Sequence, residues 1–146
     1  MKNSKTIDRL VVCLFAMAAL LQAGCNDLPA TVSGVVSVGG NPIPDGKIGF
    51  YPVAGGPPAV SNIGPDGKYE VRTASRDGLA TGEYLVSVTS YDQEITMGMS
   101  QQEALSHSRV AYKYTSRKTT DLKANIVDGE NDLPFDLEPP PKKPKK

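Results

Sequence analysis

The segment Ile63-Gly64-Pro65-Asp66-Gly67-Lys68-Tyr69-Glu70-Val71-Arg72-Thr73 is a turn that feeds a strand. Pro65 presets φ at the first turn position, and Gly67 admits the positive φ that a tight turn demands. Beyond the turn, Tyr69, Val71 and Thr73 alternate with the charged Lys68, Glu70 and Arg72. A period of two with one charged face predicts a half-buried β-strand. The device returns at Gly82-Glu83-Tyr84-Leu85-Val86-Ser87-Val88, where Tyr84, Val86 and Val88 share a face.

Towards the N-terminus, Thr31–Val38 predicts a first strand with Val32, Val36 and Val38 inward. Gly34 inside it marks a close approach or a bulge. Residues 39–46 hold two glycine–proline turn signals around Ile43. Lys47–Val53 predicts a second strand with Ile48 and Phe50 on one face, and Pro52 makes its end an edge. Gly55-Gly56-Pro57-Pro58 breaks the chain, Ala59–Ile63 forms a third strand, and the opening segment supplies the fourth. A loop over 74–80 leads to the fifth at Gly82.

Towards the C-terminus, residues 92–121 show no clear strand alternation. Ser100-Gln101-Gln102-Glu103 is a capping-box pattern, which predicts a short helix over Gln101–His107. A connection this long is usually functional or disordered. Leu122–Ile126 alternates again, Asp128-Gly129-Glu130-Asn131 reads as a turn, and Asp132–Glu138 forms the last strand. In that strand Leu133, Phe135 and Leu137 point inward, and Pro134 places it at an edge or at its own start. Seven short strands with turns between them predict an all-β sandwich over 31–138. Its inner layer is expected to hold Val36, Phe50, Tyr69, Val86 and Phe135. Residues 139–146 form a Pro/Lys-rich tail of extended polyproline type.

Residues 1–24 read as a signal peptide. Lys2, Lys5 and Arg9 precede twelve apolar residues, Leu10–Leu21. That run is shorter than the ~20 residues of a membrane-spanning helix but suits the centre of a secretory signal. It ends at Gln22-Ala23-Gly24-Cys25, with residues 25–30 as a tether to the sandwich. Removing 1–24 takes away Lys2, Lys5, Arg9 and Asp8. The remainder carries 13 basic and 15 acidic side chains, a net charge of −2. Such a balance gives no field to draw nucleic acid, and the absence of Trp with only 3 Phe argues against base stacking. No nucleic-acid partner is expected.

Ala23-Gly24-Cys25 behind an apolar run resembles the lipobox of bacterial lipoproteins. Gln22 stands where that family usually has an apolar residue. The resemblance implies cleavage before Cys25, acylation of its thiol, and anchorage of the protein to the lipid bilayer on the extracytoplasmic side of the cell envelope. Either the inner or the outer membrane fits. An ordinary secretory cut near Ala23 would instead release a free protein. Cysteine arithmetic agrees with the anchor: Cys13 lies inside the signal, so Cys25 would be the sole remaining thiol and no internal disulfide forms. More than one acyl chain, at ~0.8 kcal/mol per buried methylene, gives stable anchoring.

A second resemblance covers about 31–90. Val32-Ser33-Gly34-Val35-Val36, Gly40–Phe50, Gly64-Pro65-Asp66-Gly67-Lys68-Tyr69 and Leu79–Val88 together resemble the carboxypeptidase regulatory-like domain. The stretches Ala111–Tyr114, Leu122 and Phe135–Leu137 resemble the closing half of small lipoproteins that carry it. The resemblance implies a seven-stranded Greek-key sandwich of the transthyretin (prealbumin) type that does no chemistry of its own and needs no cofactor. It carries over no functional residues.

Among candidates for chemistry, His107 is the sole histidine. A catalytic triad would have to use it, yet nothing near it forms a nucleophile turn. No catalytic residue is therefore assigned. A transthyretin-like hydrolase of small molecules is the enzymatic alternative, but that family relies on several histidines and a Tyr-Arg-Gly-Ser ending. One histidine and one lipidated cysteine do not make a zinc site. The Asp-Gly pairs at 45–46, 66–67, 77–78 and 128–129 lack the Asp-x-Asp-x-Asp-Gly spacing of a calcium loop and suit tight turns. No metal is expected. Arg109, Lys113, Arg117 and Lys118 have no acid between them and alternate with Tyr112 and Tyr114. They form the candidate binding patch for an anionic polymer or a carbohydrate of the envelope. Alternatively, the tyrosines cover a sandwich edge and the charges stay in water. A membrane or wall contact of the lysine tail is a further candidate. The partner, protein or envelope polymer, is left unassigned.

Overall fold

The computed structural model describes residues 30–73 and 76–141. The expected signal 1–24, Cys25, the expected tether up to residue 29 and the tail lysines lie outside the described residues. The strands are β1 (Ala30–Val38), β2 (Asn41–Pro42), β3 (Gly46–Pro52), β4 (Ala59–Ile63), β5 (Lys68–Thr73), β6 (Arg76–Asp77), β7 (Gly82–Thr89), β8 (Lys123–Ile126), β9 (Gly129–Asp132) and β10 (Phe135–Leu137). Helix α1 (Gln101–Ser106) and a 3-10 helix (Tyr112–Thr115) lie between β7 and β8. The fold is all-β, in two sheets.

One sheet runs β10-β1-β5-β6, with β2 and β9 also paired to β1. The other runs β4-β3-β7-β8. The opening segment of the sequence joins them. Its turn, Gly64 to Gly67, carries the chain from β4 in one sheet to β5 in the other. The Gly67 N–H donates to Gly64 O at 2.9 Å and the Gly64 N–H to Lys68 O at 2.8 Å. Gly67 sits at φ 76, where a Cβ would meet Val36 O at 2.6 Å, so the corner needs glycine on both counts.

Alternation places the core where the sequence expects it. Val32 and Val36 on β1, Ile48 and Phe50 on β3, Tyr69 and Val71 on β5, and Tyr84, Val86 and Val88 on β7 are all buried. Phe50 is the hub of an aromatic cluster, with ring centroids 6.0 Å from Tyr69, 6.3 Å from Tyr84 and 6.5 Å from the half-buried Phe135. Of the expected inner layer, Val36, Phe50, Tyr69 and Val86 belong to this core and Phe135 packs against it.

Two local expectations are corrected. Asp128–Asn131 is not merely a turn: Gly129–Asp132 is β9, parallel to the start of β1 with Val32 opposite Asn131. Its polar composition hid it, because its inward residue is Asn131, 7% exposed, whose side chain takes the place of an apolar one by satisfying backbone. The Asn131 amide donates to Val127 O at 2.8 Å, Gly129 O at 3.1 Å and Thr31 O at 3.3 Å, and its oxygen accepts from the Val127 N–H at 3.0 Å. The expectation at Pro52 holds: β3 is interior to its sheet, but its end has no partner on the β4 side. Pro52 is tolerated because β4 has already ended opposite Phe50, while the next N–H, of Val53, bonds Glu83 O at 2.9 Å. Secondly, short strands β2 and β6 fall within the segments read as turn and loop.

Replacing Asn131 with Ala is expected to destabilise by about 1–3 kcal/mol, because the Val127 N–H and three backbone carbonyls lose their part-buried partner. A urea midpoint unchanged from wild type would contradict this account of β9.

The predicted helix forms, with Ser100 Oγ accepting from the Glu103 N–H at 3.2 Å. The rest of 92–121 folds against the sandwich. Tyr91 bridges Ser108, the Ala111 N–H donates to Glu138 O at 3.0 Å, and Thr120 Oγ1 donates to Val86 O at 2.6 Å. Val110 and Tyr114 are buried, so this segment ties the end of β10 to β7 and extends the core.

Tyr69 gives the fold an alkaline limit. Burial, with the Asp132 charge adding to it, raises the phenol well above its ordinary value of 10.0. Below that value the group is protonated in both folded and unfolded chains and stability is unaffected. As pH rises above it, only the unfolded chain releases the proton, so stability falls. Urea midpoints are expected to drop steadily above pH ~10. In Tyr69→Phe they start lower, through loss of the bond to Leu133 O, and drop less steeply. Parallel slopes in the two proteins would remove Tyr69 as the cause.

Candidate functional site

Register fixes what lies at each end of the sandwich. Ala30 opens β1 opposite Gly129, beside Leu79, and Gly82 pairs with Ile126. These residues share one end with the β3–β4 loop. Val38 closes β1 at the other end, where Gly46 opposes Ile63 and Lys47 opposes Thr89.

The Val38 end carries a cleft of about 730 Å³ between the start of β3 and the chain leaving β7. Asp45, Lys47, Ser90, Asp92, Glu94 and Arg109 line it, among others. Arg109 is its organiser. The guanidinium Nη1 donates to Asp45 Oδ1 at 2.8 Å and to Ser90 Oγ at 3.3 Å, and the Arg109 N–H donates to Ser90 O at 2.9 Å. Ser90 is only 1% exposed, so one flank is rigid. Across the mouth, His107 Nδ1 lies 2.9 Å from Asp92 Oδ1, and the Asp92 N–H donates to His107 O at 2.9 Å. A carboxylate on Nδ1 orients an imidazole and leaves Nε2 for another group. Among the described residues, that ring makes no other hydrogen bond. With three carboxylates against two cations, the cleft suits a polar ligand offering hydrogen-bond donors.

Arg109 and His107 stand out in the sequence, but their pairing with Asp45 and Asp92 does not. Asp45 is 64 residues from Arg109, and Asp92 is 15 from His107; no motif links either pair.

The six residues of the predicted patch do not share one surface. Arg109 turns into the cleft. Tyr114 is buried in the core, as a residue covering the sandwich edge would be. Lys113 donates to Asp121 at 2.9 Å and to Glu138 at 3.0 Å, and lies 4.8 Å from the Tyr114 ring. These contacts, Asp121 first, raise its pKa above the usual lysine range, and Lys113 in turn lowers that of Asp121. Arg117 lies over the Tyr51 ring at 6.0 Å. Lys118 is exposed, and its N–H donates to Ser116 Oγ at 3.2 Å. Tyr112, half exposed, lines a separate groove of about 920 Å³ with Leu105, Val110, Pro140 and Pro141. In space, then, acids from distant positions meet two of the four cations. Cys25 lies outside the described residues.

Among the described residues, no group of three or more His, Cys, Asp or Glu is placed to hold a metal ion. None of their helices is long and apolar enough to cross a membrane. Comparison with protein-family models, with curated proteins and with solved structures found no match.

Proposed function

We propose that this chain is a bacterial lipoprotein: a β-sandwich anchored through acylated Cys25 to the extracytoplasmic side of an envelope membrane, acting by contact and not by catalysis. The observation that carries the reading is the spacing at the N-terminus. Twelve apolar residues lead to Ala23-Gly24-Cys25, and the first strand opens five residues later at Ala30. A leader, an acylation site and a folded body thus follow one another with almost no spare chain.

The finer fold reading is a seven-stranded Greek-key sandwich of the transthyretin type, as in carboxypeptidase regulatory-like domains. It is supported by the strand inventory. With the two-residue β2 and β6 set aside, and β9 and β10 taken as one strand interrupted at Leu133-Pro134, seven strands remain. Consecutive ones cross between sheets at β1–β3, β4–β5, β5–β7 and β8–β9. On this reading the ligand or partner meets the polar cleft at the Val38 end, remote from the anchor.

Metabolic labelling with an alkyne fatty acid tests the anchor. The full chain expressed in a bacterium should incorporate the label, and Cys25→Ala should lose it. Equal labelling of both proteins would overturn the reading.

A further inference from the structure

The end that receives the N-terminal segment carries a second feature the cleft does not explain. From Ile48 to Pro65 the chain contains no charged residue. These residues form β3, β4 and the loop between them, and that loop, Val53-Ala54-Gly55-Gly56-Pro57-Pro58, is exposed throughout. Val53 is 59% exposed and Val60, just inside β4, is 53% exposed. On the same rim Val127, between β8 and β9, is 55% exposed. The Val53 N–H bonds Glu83 O, Gly82 pairs with Ile126, and Gly129 pairs with Ala30. The uncharged hairpin tip and the point where the chain enters β1 therefore lie on one face of the molecule.

We infer that the tip of the β3–β4 hairpin is a bilayer-contact element, and that Val53 and its neighbours rest in the lipid interface beneath the sandwich. The inference rests on the anchor proposed above and deepens it. Chain length supplies the argument. Four residues separate Cys25 from Ala30, and the five steps along the chain reach at most about 18 Å even when fully extended. An acyl chain on Cys25 thus holds Ala30 within that distance of the membrane. The nine residues of β1, at ~3.3 Å each, put its far end about 30 Å away. This limit favours the orientation in which the end bearing the tip faces the lipid and the Val38 cleft faces away.

The chemistry of the tip fits an interface. It brings apolar side chains, glycines and prolines, and no ionised group that would lose hydration. The nearby carboxylates Glu83, Asp128 and Glu130 are exposed around it and remain in water. Contact is therefore apolar, and raised salt does not release it.

The test uses the full chain, purified from membranes and reconstituted into vesicles of phosphatidylethanolamine and phosphatidylglycerol. An environment-sensitive fluorophore is placed at Val53→Cys, or at Asn41→Cys on the opposite end as reference. Flotation reports the anchor, and quenching by brominated acyl chains reports the contact. The expected result is flotation of both proteins, with the Val53→Cys probe quenched at least several-fold more than the Asn41→Cys probe. Flotation with equal quenching at both positions, or none at either, overturns the hairpin contact while leaving the anchor intact. Failure to float overturns the anchor, and the contact with it. A Val53→Cys probe already shielded in detergent-free solution would assign the tip to a second copy or a protein partner, and overturn the lipid assignment.

Discussion

Phe50→Ala is expected to cost about 3–5 kcal/mol of folding stability. The ring is fully buried and meets three other aromatic rings, one on β5, one on β7 and one on β10. It therefore links both sheets at a single point. Removing it takes away the transfer free energy of the ring and leaves a cavity. Tyr69 and Tyr84 do not collapse readily into that space, because their hydroxyls are tied to Leu133 O at 2.6 Å and Ala80 O at 2.9 Å. Small domains are stable by only ~5–15 kcal/mol, so the variant retains a fraction of the wild-type margin. Phe50→Leu keeps most of the volume and should lose less. Phe135→Ala, at the half-buried rim of the cluster, should fall between them. Urea denaturation measures all three. A Phe50→Ala shift smaller than that of Phe135→Ala would mean that the cluster is not centred on β3.

This ranking draws on a core that was legible from the chain alone. Period-two alternation located β1, β3, β5 and β7 to within a residue or two, because each gathers its large apolar side chains on one buried face. The helix was legible because Ser100 and Glu103 form a local pattern, and the corner at Gly64–Gly67 because turn chemistry is local. What escaped shares one property: its determinants are far apart or polar. β9 is held by the hydrogen bonds of Asn131 and by pairing to a strand a hundred positions away, neither of which has a periodic signature. The four cations between Arg109 and Lys118 read as a patch because no acid lies among them. In the fold, Asp45 comes to Arg109 from β3's approach, and Asp121 and Glu138 come to Lys113 from two later segments. Such exposed pairs contribute little stability, but they decide how much positive charge faces outward. The cleft was illegible for the same reason, being assembled from the ends of β3 and β7 and from two separate parts of the long connection, its start at Asp92, Gln93, Glu94 and Ile95 and the later Arg109.

Gly34→Ala is expected to destabilise by about 3 kcal/mol or more, although alanine at an unstrained glycine position usually stabilises by ~0.4–1 kcal/mol. A Cβ at residue 34 would lie 2.3 Å from Leu133 O and 2.7 Å from Leu133 C, both backbone atoms. Neither can yield by rotating a side chain. Leu133 is fixed by its own N–H, which donates to Ser33 O at 2.8 Å, and by its carbonyl, which accepts from Tyr69 Oη. The residue sits where the last strand steps from β9 to β10, each parallel to β1. Admitting one methyl group forces that step away from β1, strains the pairing on both sides and weakens the Tyr69 bond. Gly98→Ala is the matched control. It has nothing within 4 Å of its Cβ and no positive φ, so it should change stability by less than ~0.5 kcal/mol. Urea denaturation of the two variants, with amide exchange at Phe135 and Leu137, separates the outcomes. Loss of stability with faster exchange in Gly34→Ala fixes the strand junction at this glycine. A Gly34→Ala protein as stable as wild type would mean that the C-terminal strand does not pass over β1 there.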